Sequence, residues 1–569
     1  MTAPTPALTL GPDRPLDVRR LERAAREPRP AVALSDGARQ AMEASRRALD
    51  AIVERGDAVY GLTTGFGPHV CHGSAAASHG DGLIAHLAAG WGDAAPAEVA
   101  RATVLVRAQQ LAQGSSGLDP SVAEFALRVL GAGLVPWIPE VGSVGASGDL
   151  TPLAHMARLL TGQGLALNLR TGARQPAGYA LAAAGLRPIE LGAREALGLV
   201  NGTAFMTAYL SISVARAERL LARTERLVGW AYRLLGCRRA ALDARLHDAR
   251  GHAGQIRSAA AIRAEVERGR EPEDATRPLQ EVYALRCAPQ ILGACRENVA
   301  YARRLVETEM NGVSDNPVVA ADPLEALHGG NFQGQQVAFA ADALNAALVQ
   351  TAVYAERLLD ALTDPKRGVV EAPLLLAYEP GPTSGLAGAQ MTATALVAEM
   401  RHHAQMAATS SIPTNAGNQD VVSMGTLAAR TAYRQAERLA PVLATVGVAL
   451  SQLTFLREET RAPGPVVERP AWMPPVEGLR ADRPLYDDIA RVAAAWQAPH
   501  PLPAPREAAP PMPRTLADLP RTAARPAPMP RTVADLPTPR PPTQAWISRP
   551  VASFGHAAAQ ARTPLRAGV

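Results

Sequence analysis

The chain is almost devoid of lysine. Of its 58 basic Lys and Arg residues in 569, only Lys366 is a lysine. Pyridoxal phosphate enzymes hold their cofactor as a Schiff base on lysine. Lys366 lies in Thr363-Asp364-Pro365-Lys366-Arg367-Gly368, which reads as a surface turn. Pyridoxal phosphate is therefore excluded, and any amine chemistry would need another electrophile. Cysteine is also scarce. Cys71, Cys237, Cys287 and Cys295 show no metal-ligand spacing, so no metal is expected and the thiols read as reduced. Aromatic residues make up 4%, which leaves Ala, Leu and Val to fill the core. No uninterrupted apolar run reads as long enough to cross a bilayer. Residues 1–20, rich in Pro, Asp and Arg, lack the apolar centre of a signal peptide. These absences predict a cytoplasmic protein with no membrane partner.

Charge is unevenly placed. The net charge is +5, but residues 499–569 carry nine arginines and three acids, a net of +6, so the remainder is close to neutral at −1. The basic pI of 9.2 thus belongs to the tail, and no nucleic-acid partner is expected. The tail holds 17 of the 48 prolines and repeats Pro-Met-Pro-Arg-Thr-x-Ala-Asp-Leu-Pro at 511–520 and 528–537. Such proline density predicts a disordered or extended segment, either a linker or a docking motif for an unknown partner.

Residues 1–30 read as an N-terminal arm and 31–498 as the catalytic domain, loop-rich to about 200 and a long-helix bundle over 200–460. Apolar residues recur at helical spacing in Leu344, Leu348, Thr351, Ala352, Ala355, Leu358, Leu359 and Leu362. Similar stretches lie near 97–113, 192–234, 281–309, 386–407 and 421–457. Several are longer than ordinary globular helices, and such helices belong to bundles. Glycine-rich loops interrupt them at 61–67, 142–148, 329–334 and 381–388, where a rigid bundle would carry its chemistry.

The segment 142–155, Gly-Ser-Val-Gly-Ala-Ser-Gly-Asp-Leu-Thr-Pro-Leu-Ala-His, holds a tripeptide able to become an electrophile by itself. If the amide nitrogen of Gly148 attacks the carbonyl of Ala146, a five-membered ring closes. Loss of water there and from Ser147 leaves a 4-methylidene-imidazol-5-one. Gly148 has no β-carbon to obstruct the approach, Ser147 carries the hydroxyl to be eliminated, and Ala146 is small. Thr151-Pro152 reads as a helix N-cap followed by proline at the first helical position, which would aim the positive helix end at the ring.

Further motifs accompany it: Tyr60-Gly61-Leu62-Thr63-Thr64-Gly65-Phe66-Gly67; Leu199-Val200-Asn201-Gly202-Thr203; Gln280 with Tyr283-Ala284-Leu285-Arg286-Cys287-Ala288-Pro289-Gln290; Ser314-Asp315-Asn316-Pro317; His328-Gly329-Gly330-Asn331-Phe332; Glu399; and Asn415-Ala416-Gly417-Asn418-Gln419-Asp420. Together these resemble the aromatic amino acid ammonia-lyases, a family that includes histidine lyases and aminomutases, over roughly residues 30–498. The resemblance implies a mainly α, fumarase/aspartase-like long-helix bundle with a loop-borne active site. It also implies the methylidene-imidazolone cofactor from Ala146-Ser147-Gly148, and a homotetramer whose active sites are shared between subunits.

It further implies roles. Tyr60 would be the base, and Gly67 on the same loop would help bind the substrate. A free phenol titrates near 10, so it needs nearby positive charge or helix dipoles to act at neutral pH. Asn201 would bond the ring and the substrate carboxylate. Arg286 would hold that carboxylate in a two-pronged ion pair, with Gln280 and Tyr283 beside it. Phe332 would pack near the ring, Glu399 near the amine, and Asn415, Asn418 and Gln419 would complete the substrate site. The substrate would attack the methylidene, by amine or by ring, making the amine a better leaving group.

Substrate choice in the family lies in a pair that here reads His86-Leu87. Histidine lyases tend to have Ser-His and phenylalanine lyases Phe-Leu. His-Leu is the tyrosine pattern, in which an imidazole bonds a phenolic hydroxyl and the leucine packs on the ring. Ala288, where histidine lyases usually have Gln, and Asn418-Gln419-Asp420 agree. Trp91 is bulkier than expected, and would either narrow the pocket or pack under it. The reading is a tyrosine ammonia-lyase. Tyrosine 2,3-aminomutase is the nearest rival; histidine or phenylalanine lyase, and an inactive scaffold with a partner-binding tail, stand behind it.

Overall fold

A computed structural model describes residues 8–73, 79–269, 271–367, 369–460 and 464–498. These described residues form one compact unit. The repeats at 511–537 lie outside the described residues.

The architecture is mainly α. Its centre is a bundle of long helices: Ala204–Leu235, Ala288–Met310, Gln335–Thr363 and Gly425–Thr460. They pack on one another and on helix Ala253–Val266. Leu210, Val214, Leu344, Leu348, Leu443 and Leu450 lie in one continuous core with many alanines between them. Those small residues let helices approach closely where aromatics are few. Helix 335–363 and the segment 425–459 each contain a window apolar and long enough to span a membrane, contrary to the reading from sequence, but 72% and 89% of those windows are buried inside this fold. Their hydropathy reflects burial on all sides of a bundle helix.

Two stretches expected to be continuous helices are broken. The 192–234 stretch divides into Ala193–Val200 and Ala204–Leu235, around the turn Asn201-Gly202-Thr203. The 281–309 stretch divides at Cys287 into Tyr283–Arg286 and Ala288–Met310. Helical periodicity continues across both breaks, so apolar spacing alone could not reveal them. Near the N-terminus, strand Leu8–Leu10 pairs in parallel with Val32–Leu34. Helix Val18–Arg26 buries Val18, Leu21 and Ala25 against helices Ala97–Leu111 and 204–235. Small antiparallel ladders, Trp91–Ala94 with Pro139–Val141 and Leu134–Pro136 with Leu165–Asn168, frame the loop at 142–149.

Candidate active site

The tripeptide sits where four helices begin. Gly148 and Asp149 lead directly into helix Leu150–Leu160. Asp149 N donates to Gly202 O (2.7 Å), just ahead of helix 204–235. Gly334 N donates to Gly145 O (3.1 Å), just ahead of helix 335–363. Ser423 Oγ donates to the same oxygen (2.9 Å) and Met424 N to Val144 O (2.9 Å), just ahead of helix 425–460. Four positive helix ends therefore face one loop, an environment that favours developing negative charge.

Gly148 has φ +66° and pairs with Gly202 as a short bridge, so any side chain at 148 would overlap the Gly202 carbonyl. Only glycine fits this position. Both oxygens of Ser147 meet amide donors. Asn201 Nδ2 donates to Ser147 O (3.2 Å) and Gln419 Nε2 donates to Ser147 Oγ (3.0 Å). Asn201 is buried, and its Oδ1 has no hydrogen-bond partner. An orphaned buried acceptor beside the tripeptide marks a place where a ligand donor would be satisfied.

The helix after the tripeptide begins one residue before Thr151. Asp149, not Thr151, occupies the N-cap position, and its side chain makes no bond to its own helix. The carboxylate instead accepts from Met206 N (2.9 Å), Ser143 Oγ (2.8 Å) and Thr426 Oγ1. It thus ties the starts of two long helices to the loop. Burial raises its pKa above the ordinary value, and the bonds from Thr426, Met206 N and Ser143 oppose that shift. Sequence reasoning quoted Asp149 within the motif without assigning it work. Arg107 was also missed, although an arginine in a helix that is otherwise largely apolar was the available signal. It is 1% exposed, and donates to Gly198 O (3.0 Å) and Asn201 O (2.9 Å). Asp315 lies 3.9 Å away and is itself paired with Arg194 at 2.6 Å.

Tyr60 is half-buried, and its phenolic oxygen accepts from Gly67 N at 2.7 Å. Tyr60 N donates to His328 Nε2 (3.1 Å), joining this loop to the 328–334 loop that carries Phe332, itself half-buried. A side chain at Gly67 would meet Asn415 Nδ2 at 3.0 Å, with Asn418 Oδ1 at 4.0 Å. The Tyr60 loop, Asn415, Asn418, Gln419, Asn201 and the tripeptide are therefore neighbours.

His86 lies on helix His79–Leu87, which packs against helices 193–200 and 150–160. It is exposed, and its Nδ1 lies 2.9 Å from Gly82 O. A carbonyl only accepts, so Nδ1 carries the proton and Nε2 is left for another partner. Leu87 is half-buried against the core. Trp91 does not pack under this site. It is 81% exposed, and lines a cavity of about 680 Å³ with Trp137, His155 and Arg158.

Four expected residues are not brought to the tripeptide within one chain. Tyr283 is 66% exposed, and Gln280 is exposed in the same segment. The Arg286 guanidinium stacks 4.6 Å over the Tyr283 ring, with Nε donating to Glu281 O (2.9 Å). This turn is held by Tyr232 Oη on Leu285 O (3.1 Å) and Tyr354 Oη on Ala284 O (2.6 Å). Tyr232 lies 28 residues along its helix from Ala204, a distance of about 42 Å. Tyr354 lies 19 residues from Gln335, about 28 Å. Both helices begin at the tripeptide, so Gln280, Tyr283 and Arg286 sit near the opposite end. Glu399 is exposed and ion-paired with Arg438, which lies 13 residues, about 20 Å, into helix 425–460.

This fold has known counterparts. The aromatic amino acid lyase family profile matches residues 16–470. A tyrosine ammonia-lyase of Cereibacter sphaeroides is 39% identical, covering 87% of this chain and 98% of its own. A histidine ammonia-lyase of Paracidovorax citrulli is 37% identical, covering 82% and 93%. The solved structure of tyrosine aminomutase from Streptomyces globisporus superposes with a TM-score of 0.78 at 32% identity, covering 86% and 97%. The chain belongs to the aromatic amino acid lyase family and is a carbon–nitrogen lyase.

Proposed function

We propose that the protein converts L-tyrosine to trans-p-coumarate and ammonia. Overall identity does not choose the substrate, since relatives named for tyrosine and for histidine stand at 39% and 37%. The observation that carries the choice is His86. With Nδ1 donating to Gly82 O, its Nε2 accepts from a phenolic hydroxyl, a partner that phenylalanine lacks.

The residues at 146–148 fit a self-formed methylidene-imidazolone: glycine is required at 148, and the Ser147 carbonyl oxygen, which would become the ring oxygen, already accepts from Asn201. When formed, that group supplies an electrophilic carbon. The chain's own residues do the rest. Asn201 stabilises negative charge at the Ser147 oxygen. Tyr60, fixed by the Gly67 N–H, removes the proton at the substrate β-carbon. Arg286 presents its guanidinium to the substrate carboxylate, with Gln280 and Tyr283 beside it, and Glu399 faces the amine.

Because the latter group lies about 20–40 Å from the tripeptide of its own chain, the complete site combines several copies, in keeping with a homotetramer. The exposed Leu279, Tyr283, Ile412 and Val421 supply apolar surface for that assembly. The proposed setting is cytoplasmic.

The test is deamination of tyrosine, phenylalanine and histidine by wild type and His86→Phe. Wild type favours tyrosine, and the variant loses at least about 10-fold of its preference for tyrosine over phenylalanine. Urocanate from histidine as the main wild-type product would defeat the proposal. The similarity to tyrosine aminomutase supports a second reading, in which the ammonia is retained and returned to the β-carbon. β-Tyrosine as the dominant product would establish it.

A further inference from the structure

Gln419 is presented to Ser147 by an unusual loop. Thr414 and Gln419 pair backbone to backbone, with Thr414 N on Gln419 O (3.0 Å) and Gln419 N on Thr414 O (3.3 Å). Between them Asn415, Ala416 and Gly417 take φ +55°, +54° and +78°. Asn415 and Ala416 in left-handed conformations are unfavourable and persist only where surroundings impose them. The result of this closure is that the Gln419 amide reaches the Ser147 hydroxyl at 3.0 Å.

That contact exists only while Ser147 keeps its hydroxyl, so it belongs to the chain before Ser147 is dehydrated. We infer that Gln419 is a maturation residue, holding and activating the Ser147 hydroxyl as the leaving group of the dehydration that makes the electrophile. The inference rests on the proposed methylidene-imidazolone chemistry. In the elimination the Ser147 Cα–H bond breaks, and its electron pair moves toward the Ser147 carbonyl oxygen, which accepts from Asn201 at 3.2 Å. The pair then forms the Cα–Cβ double bond as the Cβ–Oγ bond breaks. The departing hydroxide and the Cα proton leave together as one water. In the ring closure Gly148 N bonds to Ala146 C, whose C–O bond breaks; that oxygen leaves as the other water with the protons of Gly148 N and Ser147 N, and Ala146 C becomes double-bonded to Ser147 N.

Negative charge therefore develops on two oxygens of Ser147, and each faces one amide donor. A donor on a departing oxygen stabilises the charge that appears there. Gln419 would then serve twice, first at the Ser147 hydroxyl and later at the substrate.

The experiment follows freshly synthesised protein by the mass of the peptide carrying residues 142–155, which reports loss of two waters independently of activity. Wild type loses both. Gln419→Leu, of similar size without a donor, loses them about 10-fold more slowly, the effect of one charge-assisted hydrogen bond. In Gln419→Glu the introduced carboxyl donates only when protonated, so maturation accelerates as pH falls, a dependence wild type lacks. Circular dichroism and hydrodynamic size verify folding, and Gln419→Glu carries the test if the leucine variant fails to fold. Dehydration of Gln419→Leu at the wild-type rate, or a pH-independent rate in Gln419→Glu, overturns the inference. If wild type itself never loses two waters, the methylidene-imidazolone reading falls instead.

Discussion

Replacing Arg107 with lysine tests whether Asn201, the proposed polariser of the tripeptide, is held from behind. Arg107 spans from helix 97–111 to the end of helix 193–200. It donates to Gly198 O, Asn201 O and Gln110 Oε1 (3.2 Å) from a fully buried position. Burial lowers its pKa to about 10, partly offset by Asp315, so it remains a cation at neutral pH. Its charge lies at a helix C-terminus, where carbonyls lack partners. A lysine keeps the charge but not the fork. The ammonium reaches one carbonyl and leaves another buried and unpaired, a loss of about 3 kcal/mol. With an unfolding entropy of about 1 kcal/mol/K for a unit of this length, the thermal midpoint falls by about 3 °C. The larger effect is on chemistry. Asn201 Nδ2 reaches Ser147 O at 3.2 Å, already long, and a displacement of about 1 Å at such a position costs about 100-fold in rate. The assay is calorimetry together with kcat normalised to the fraction of chains that have lost two waters. Arg107→Lys with unchanged midpoint and kcat within about twofold of wild type would falsify the idea that this arginine positions Asn201.

Other outcomes are equally specific. His328 Nε2 accepts from Tyr60 N, and burial lowers its pKa below 6.5. A lowered histidine pKa means the unfolded form binds more protons in that window. The anchoring is thus present above 6.5 and lost as pH falls through the folded value. His328→Gln keeps an acceptor that does not titrate, and should flatten the acid limb of the activity profile; an unchanged limb refutes the assignment. Co-expressed Ser147→Ala and Arg286→Ala chains should regain activity that neither has alone, because each supplies what the other's shared site lacks. Failure of mixed assemblies to recover any activity would sink the shared-site proposal.

The proposed chemistry reads from the linear chain because it depends on residue type and short spacing. Ala146-Ser147-Gly148 can cyclise only through neighbours in sequence. Lysine scarcity removes the alternative electrophile, and the long helices announce themselves through apolar periodicity. Their breaks at 201–203 and at Cys287 did not, since periodicity runs through a turn that tertiary contacts impose. The sequence puts the helix cap at Thr151 and gives Asp149 no role. Only the meeting of three helix starts turns its carboxylate toward Met206, Ser143 and Thr426. Arg107 and Gln419 acquire meaning from partners 94 and 272 residues away. The resemblance groups Arg286 and Tyr283 with Ser147 in a site shared between subunits; within one chain, rigid helices rising about 1.5 Å per residue separate them by tens of ångströms. The chain by itself determines which atoms can react; the helix bundle decides which side chains stand beside them, because distance across a packed fold is set by helix length and packing and not by position along the sequence.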